Sequence, residues 1–436
     1  MTVEIDNKII KYQELLNDRD PKKRLNNLEL VLRKESGKFG RKQLDYYINN
    51  HIHTTFSFSY YTPTMSIWMA FRSGLQTAGI MDHDTISGAR EFIVAGKMVG
   101  IPITKGVECR ADFSKTSLKG RRINNPDQKS IAYVAIHGIP DHQIDRINAF
   151  FAPYREERNK RNLLMVRRLN EILEPVSLSL DFNVDVLPLS YASEGGTVTE
   201  RHIIFALARK IMVKFSKGRE VIDFLQNKLK IKISKKNLAY LEDGNNNLYA
   251  YDILSVLKST LVEQFYIDAT TECPDVRDVL ALADETGSIS AYAYLGDIAE
   301  SITGDKRAQK FEDDYLELLF NEIKELGFKA VTYMPTRNSM SQIKRIQDLC
   351  KRYGFFQISG EDINSPRQPF VCEILKNRKL HNLVDASWAL IGHEKRAWED
   401  LDEGLFSAKI IKKYPDLGKR IQIFKEEAKN RVGEKA

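Results

Sequence analysis

Apolar and charged positions alternate at helical spacing over residues 1 to 45, as in NLELVLRKE, and predict one or two helices ahead of the first strand. From residue 46 the pattern changes to short apolar runs separated by helical stretches. AGIMD, IPITKGVE and IAYVAIHG read as buried strands, and their alternation with helices predicts a parallel sheet or barrel. Between residues 146 and 275 the strand pattern fades. There YREERNKRNLLMVRRLNEIL puts Leu163, Val166, Leu169 and Leu173 on one face and leaves Arg155, Arg158, Lys160, Arg161 and Arg168 largely outside it. From residue 276 the alternation returns, with SISAYAYLG, FKAVTYM and FFQISG as strands between amphipathic helices, and residues 391–436 read as a helical tail. The expected layout is an α/β barrel with a helical extension over 1–45, halves over 46–145 and 276–390, a helical insert over 146–275 and the tail.

Composition narrows this picture little. No run approaches the roughly 18 apolar residues of a membrane helix, and the start, MTVEIDNKII, lacks the apolar core of a secretory signal, so the expected location is the cytoplasm. Cys109, Cys273, Cys350 and Cys372 show no Cys-x-x-Cys spacing, which argues against a disulfide framework and a zinc knuckle. A net charge of +7 permits an anionic ligand without demanding one, but the charged helix at 154–173 and KLKIKISKK together suggest a basic insert.

The candidate chemistry gathers at the ends of the apolar runs. In HIHTTFSFS an extended segment projects His51 and His53 to one side, where their imidazoles can converge. Taken alone, that pair fits a polar edge strand with two solvated histidines better than a metal site. Its company changes the reading: Asp82, His83 and Asp84 follow AGIM, Glu108 ends GVE, His137 ends AIH, and Asp362 and Asn364 follow ISGE. Strand C-termini are where barrel enzymes carry their chemistry, and so many ligand-type side chains arriving at one rim imply a cation.

These segments, HIHTTFS, GIMDHDTISG, GVE, IHG and SGEDIN, resemble in order and approximate spacing the motifs of the PHP (polymerase and histidinol phosphatase) superfamily of metal-dependent phosphoesterases. The resemblance covers residues 48–140 and 276–370. The insert, with TERHIIFALARK, is similar to that of the branch acting on nucleotides and on short oligonucleotides from the 5′ end. The resemblance implies a distorted (β/α)7 barrel interrupted by a helical insert, and a first metal on His51, His53, Glu108 and Asp362. A second metal shares Glu108 and takes His137, and a third retains His83. Three positions depart from the family pattern: Phe58 and Asn364 stand where the third metal has ligands, and Tyr294 replaces a histidine of the second. One or two divalent ions, Mn, Fe or Zn, are therefore expected.

In that reading Asp82, His83 and His202 are the catalytic candidates, and Arg201 and Arg337 hold the substrate phosphate. The substrate is a phosphorylated small molecule, nucleotide or short oligonucleotide, and no obligate protein partner is inferred. The rival reading is a degenerate PHP domain that binds nucleotides or nucleic acid without turnover.

Overall fold

The computed structural model describes residues 11–35, 46–297 and 310–433. Of the expected extension, Pro21–Glu35 is a helix that buries Leu28 and Val31; residues 1–10 and 36–45 lie outside the described residues, as do 434–436 of the tail.

Seven strands form one sheet in sequence order: β1 (Ile48–Ile52), β2 (Thr77–His83), β3 (Ile103–Asp112), β4 (Ile131–His137), β5 (Ile289–Tyr294), β6 (Ala330–Tyr333) and β7 (Phe356–Ser359). The sheet curls until its two edges meet. The His53 N–H donates to Ile363 O and the Ile363 N–H to His51 O, joining β1 to the chain just beyond β7. Most pairs are parallel and connected through helices such as Pro63–Arg72, Ala89–Val99 and Met340–Tyr353, as the alternation predicts. The last of these opens on a Ser339/Gln342 capping box and ends at Gly354, whose φ of +73° suits only glycine comfortably.

One strand departs from the expected parallel order. β4 runs antiparallel to both β3 and β5, so the sheet is mixed. The cause is the connection: residues 113–130 contain no helix to carry the chain back across the sheet, and the strand can only return beside its predecessor.

The helices between β4 and β5, chiefly Ile144–Leu173, Glu200–Lys214 and Tyr249–Phe265, gather their own apolar cluster around Leu169, Leu207, Ile253, Leu257 and Phe265. Another cluster joins Met81, Ala135, Ile289 and Ile358 of the sheet to Ala386, Ala389 and Leu390 of the helix His381–Glu399. Leu417–Gly433 packs on that helix in turn. All four cysteines are buried and unpaired. Among the described residues no helix is long and apolar enough to cross a membrane.

Candidate metal centre

The end of β1, the end of β2 and the middle of β3 converge on one point. His51, His53 and Glu108 each present a ligand-type atom within 4.8 Å of the others, and all three are buried. His51 Nε2 lies 3.2 Å from His53 Nε2 and 3.4 Å from Glu108 Oε2, and His53 Nε2 is 3.5 Å from Glu108 Oε1. Asp362 Oδ1 stands 3.2 Å from His53 Nε2, and His83 Nδ1 is 3.0 Å from Glu108 Oε1. Two donors at about 2.1 Å from one cation, subtending 90–110°, are themselves about 3.0–3.4 Å apart. The observed separations match that spacing, so the residues fit a divalent ion. His137 adds a second sign of fit, because its Nε2 is buried without a hydrogen-bond partner among the described residues.

The electrostatics agree. Burial pushes the Glu108 carboxyl up, but the imidazoles of His83 and His51 override it and hold the group well below the carboxylate range. Asp362 is likewise lowered, against burial, by His53, His51 and Arg201. Burial, helped by His51, lowers His137 to about 3, so its ring is neutral at ordinary pH. Neutral imidazole is the form that ligates metals.

Asp82, expected among the catalytic groups, is turned away from the convergence. Its Oδ1 accepts from Thr54 N at 2.7 Å and Ser57 Oγ at 2.6 Å, and its Oδ2 accepts from Thr54 Oγ1 at 2.7 Å. With its proton given to Asp82, the Ser57 hydroxyl is left to accept from His53 Nδ1, 3.1 Å away. That fixes the tautomer in which Nε2 carries a lone pair aimed at the centre. Gly360 permits the approach of β1 on the other side: a Cβ there would lie 2.5 Å from the His51 Cβ.

Asn364, at a position where the resemblance has a ligand, donates Nδ2 to Asp362 Oδ1 at 2.6 Å, while Gln368 bonds the backbone on both sides of the loop. Phe58, buried with φ +84°, stacks edge-on against His202 at 4.9 Å and joins the apolar cluster of the insert. Tyr294 donates its hydroxyl to Asp313 at 2.6 Å. Arg337 donates Nε to Leu295 O and lies over the Phe311 ring. His202 is buried, caps its own helix by accepting from Thr199 N at 3.0 Å, and is lowered to about 3 by burial and the nearby Arg158. Arg201, beside it, makes no hydrogen bond or ion pair among the described residues, and its charge acts on Asp362.

The expected basic face of the insert is corrected at Arg158 and Arg161, while Lys160, Arg168 and the lysines of KLKIKISKK are exposed. Arg158 and Arg161 are only 5% and 6% exposed, because they are consumed by a buried ion network. Arg158 binds Asp84 at 2.5 Å and Glu200 at 3.2 Å; Arg161 binds Glu200 and Glu272, each at 2.5 Å; Arg110 of β3 binds Glu272 and reaches Glu200 at 3.5 Å. Three guanidiniums face three carboxylates. Arg155 and Arg168 donate to backbone carbonyls, and Lys160 pairs with Glu157. Ser57, Gly360 and this network escaped the sequence reading; Ser57 alone had a visible signal, lying within the quoted histidine segment.

Fold and site together define an α/β protein with a curled mixed sheet and a buried group of histidines and carboxylates suited to a divalent cation. No family model matches the chain. A curated 5′-3′ exoribonuclease of Haemophilus influenzae is 36% identical over 74 residues, which is 17% of this chain and 25% of that protein, so the match spans a quarter of the relative's length. Two solved structures are similar. A candidate metal-dependent phosphoesterase of Bifidobacterium adolescentis has 20% identity and a TM-score of 0.49, covering 77% of this chain and 96% of its own. An amidohydrolase of Chromobacterium violaceum, solved with sulfate and without metal, has 17% identity and a TM-score of 0.48, covering 74% and 89%.

Proposed function

We propose that this protein is a metal-dependent phosphoesterase of PHP type that hydrolyses a phosphate ester of a nucleotide or short oligonucleotide. The observation that carries the reading is the spacing of His51, His53 and Glu108 at cation-ligand distances, with Asp362 3.2 Å from His53 and the charge of Arg201, which makes no hydrogen bond or ion pair among the described residues, acting on Asp362. The exoribonuclease match supports the substrate class.

Those four residues, with His137 and His83 at their margin, would hold one or two divalent ions. Such an ion supplies neutralisation of phosphoryl charge and acidifies a water by several pK units. The protein's own groups do the rest. Arg201 holds the substrate phosphate by charge-assisted hydrogen bonds. The Asp82–Ser57–His53 chain keeps one donor aimed inward, and Asn364 keeps the Asp362 carboxylate turned toward His53. His83, its ring tilted by 30° against that of His53 at 4.6 Å and about a quarter exposed, stands at the open side, where it can move a proton between solvent and the reacting oxygen.

The test is a panel of phosphomonoesters, cyclic and bisphosphate nucleotides and 5′-phosphorylated oligonucleotides, assayed with Mn2+, Fe2+ and Zn2+. Arg201→Ala is expected to raise KM more than it lowers kcat. No turnover of any member by metal-replete protein would overturn the hydrolase reading. It would favour the non-catalytic binder, for which the engagement of Phe58 and Tyr294 away from the centre is the specific argument.

A further inference from the structure

The helix Glu200–Lys214 turns Ile203, Ile204, Leu207, Ala208 and Ile211 into the apolar cluster of the insert. Along one side of the helix, at i, i+4 and i+8, Arg201, Phe205 and Arg209 form a stripe that is not fully buried, with Phe205 packed at the edge of that cluster. The stripe begins at Arg201, whose charge acts on Asp362. Arg209 stands two turns farther, about 12 Å along the axis. It is exposed, makes no hydrogen bond or ion pair among the described residues, and its charge is felt by Tyr251. Arg155, Arg158, Arg161 and Arg168 of the long helix are all bonded, whereas Arg167 is exposed and makes no hydrogen bond or ion pair among the described residues, so what sets this stripe apart is the aromatic ring between its two guanidiniums.

Between the two arginines lies an aromatic wall. Phe205 packs on Tyr251 with ring centroids 4.8 Å apart, and Tyr60 meets Tyr251 edge-on at 5.3 Å; all three rings are only partly buried. This wall is tied to the cage. Arg367 grips Asp252, the neighbour of Tyr251, through two bonds of 2.6 Å, and belongs to the same loop as Asp362 and Asn364. Charge, ring and charge in succession, starting at a phosphate-holding residue, match the alternation of phosphate and base in a single strand.

Resting on the function proposed above, we propose that Phe205, Tyr251 and Arg209 form a subsite for the second nucleotide of a single-stranded oligonucleotide. Phe205 and Tyr251 stack its base and Arg209 takes a phosphate beyond the one at Arg201. A nucleoside 5′-monophosphate carries nothing for Arg209 to hold. The site therefore selects for chain length.

The experiment measures binding to the full chain in chelator by fluorescence anisotropy, using a labelled 5′-phosphorylated trinucleotide, with unlabelled trinucleotide, nucleoside 5′-monophosphate and 3′,5′-bisphosphate as competitors. The trinucleotide is expected to bind best. Arg209→Gln should weaken it about tenfold more than the monophosphate and flatten the dependence of log K on log salt by about 0.7. Phe205→Leu, which keeps the apolar packing, should weaken the trinucleotide without changing that slope. Equal loss for the trinucleotide and the monophosphate on Arg209→Gln would overturn the subsite, as would a bisphosphate competing as well as the trinucleotide. Binding with the expected Arg209 dependence but no hydrolysis of any ester would sink the hydrolase reading and leave the subsite standing. Hydrolysis of mononucleotides with no preference for length would do the reverse.

Discussion

Glu200 is the hinge of the buried ion network, and Glu200→Gln gives its strongest test. The carboxylate touches three guanidiniums: Arg161 and Arg110 at Oε1, Arg158 at Oε2. Burial opposes its charge, yet Arg158, Arg161 and Arg110 hold it well below the carboxylate range. Glutamine keeps one acceptor for Arg161 but turns an NH2 group toward Arg158, leaving three buried cations with two carboxylates. Removing one partner of a buried pair costs about 3–5 kcal/mol, and the surviving acceptor places this variant near 3. Urea unfolding followed by circular dichroism reads the loss directly. Acid gives a second readout. The folded pKa is depressed, so the contribution of Glu200 is present above the unfolded value of about 4.5 and is lost as pH falls below it. The variant should lose less stability than the parent between pH 5 and pH 3. Glu157→Gln, at an exposed pair on the same long helix, is the control and should leave the midpoint where it was. A Glu200→Gln loss under about 1 kcal/mol, with acid sensitivity unchanged, would refute the account of the network.

Asp82→Asn should lower metal affinity about 10- to 100-fold, because the group that fixes the His53 tautomer through Ser57 is weakened; a metal titration showing no change would count against that role. Glu312 is fully buried and raised to about 8 by burial, so the folded protein keeps a proton that the unfolded chain releases above about 4.5. Stability should therefore fall as pH rises through that window, and Glu312→Gln should narrow the difference in Tm between pH 5 and pH 8. An identical difference in both proteins would show that Glu312 does not hold that proton.

The apolar runs made the strands legible, and the ligand-type residues at their ends made the convergence of His51, His53 and Glu108 legible too. Strand direction was not. IAYVAIHG looks the same whichever way it runs, and only the helix-free connection over 113–130 reveals that β4 turns back. Glu108 also lies in the middle of β3, because the strand continues to Asp112 as the partner of β4. Arg158 and Arg161 misled for a different reason. Charged residues on a helix read as its solvent face unless their partners are close in sequence, and Glu200 and Glu272 follow about 40 to 110 positions later. The same distance hid the way Phe58 leaves the barrel wall to pack on His202 and Phe205.

His51, His53 and Glu108 are spaced for a cation, with Asp362 against His53, and metal content tests this most directly. Protein expressed in metal-replete medium and purified without chelator should carry at least one divalent transition metal per chain by inductively coupled plasma mass spectrometry. His53→Ala, which removes the nitrogen nearest both His51 and Asp362, should carry close to none while keeping the circular dichroism spectrum of the parent. Metal near zero in both proteins, or equal in both, would contradict the account.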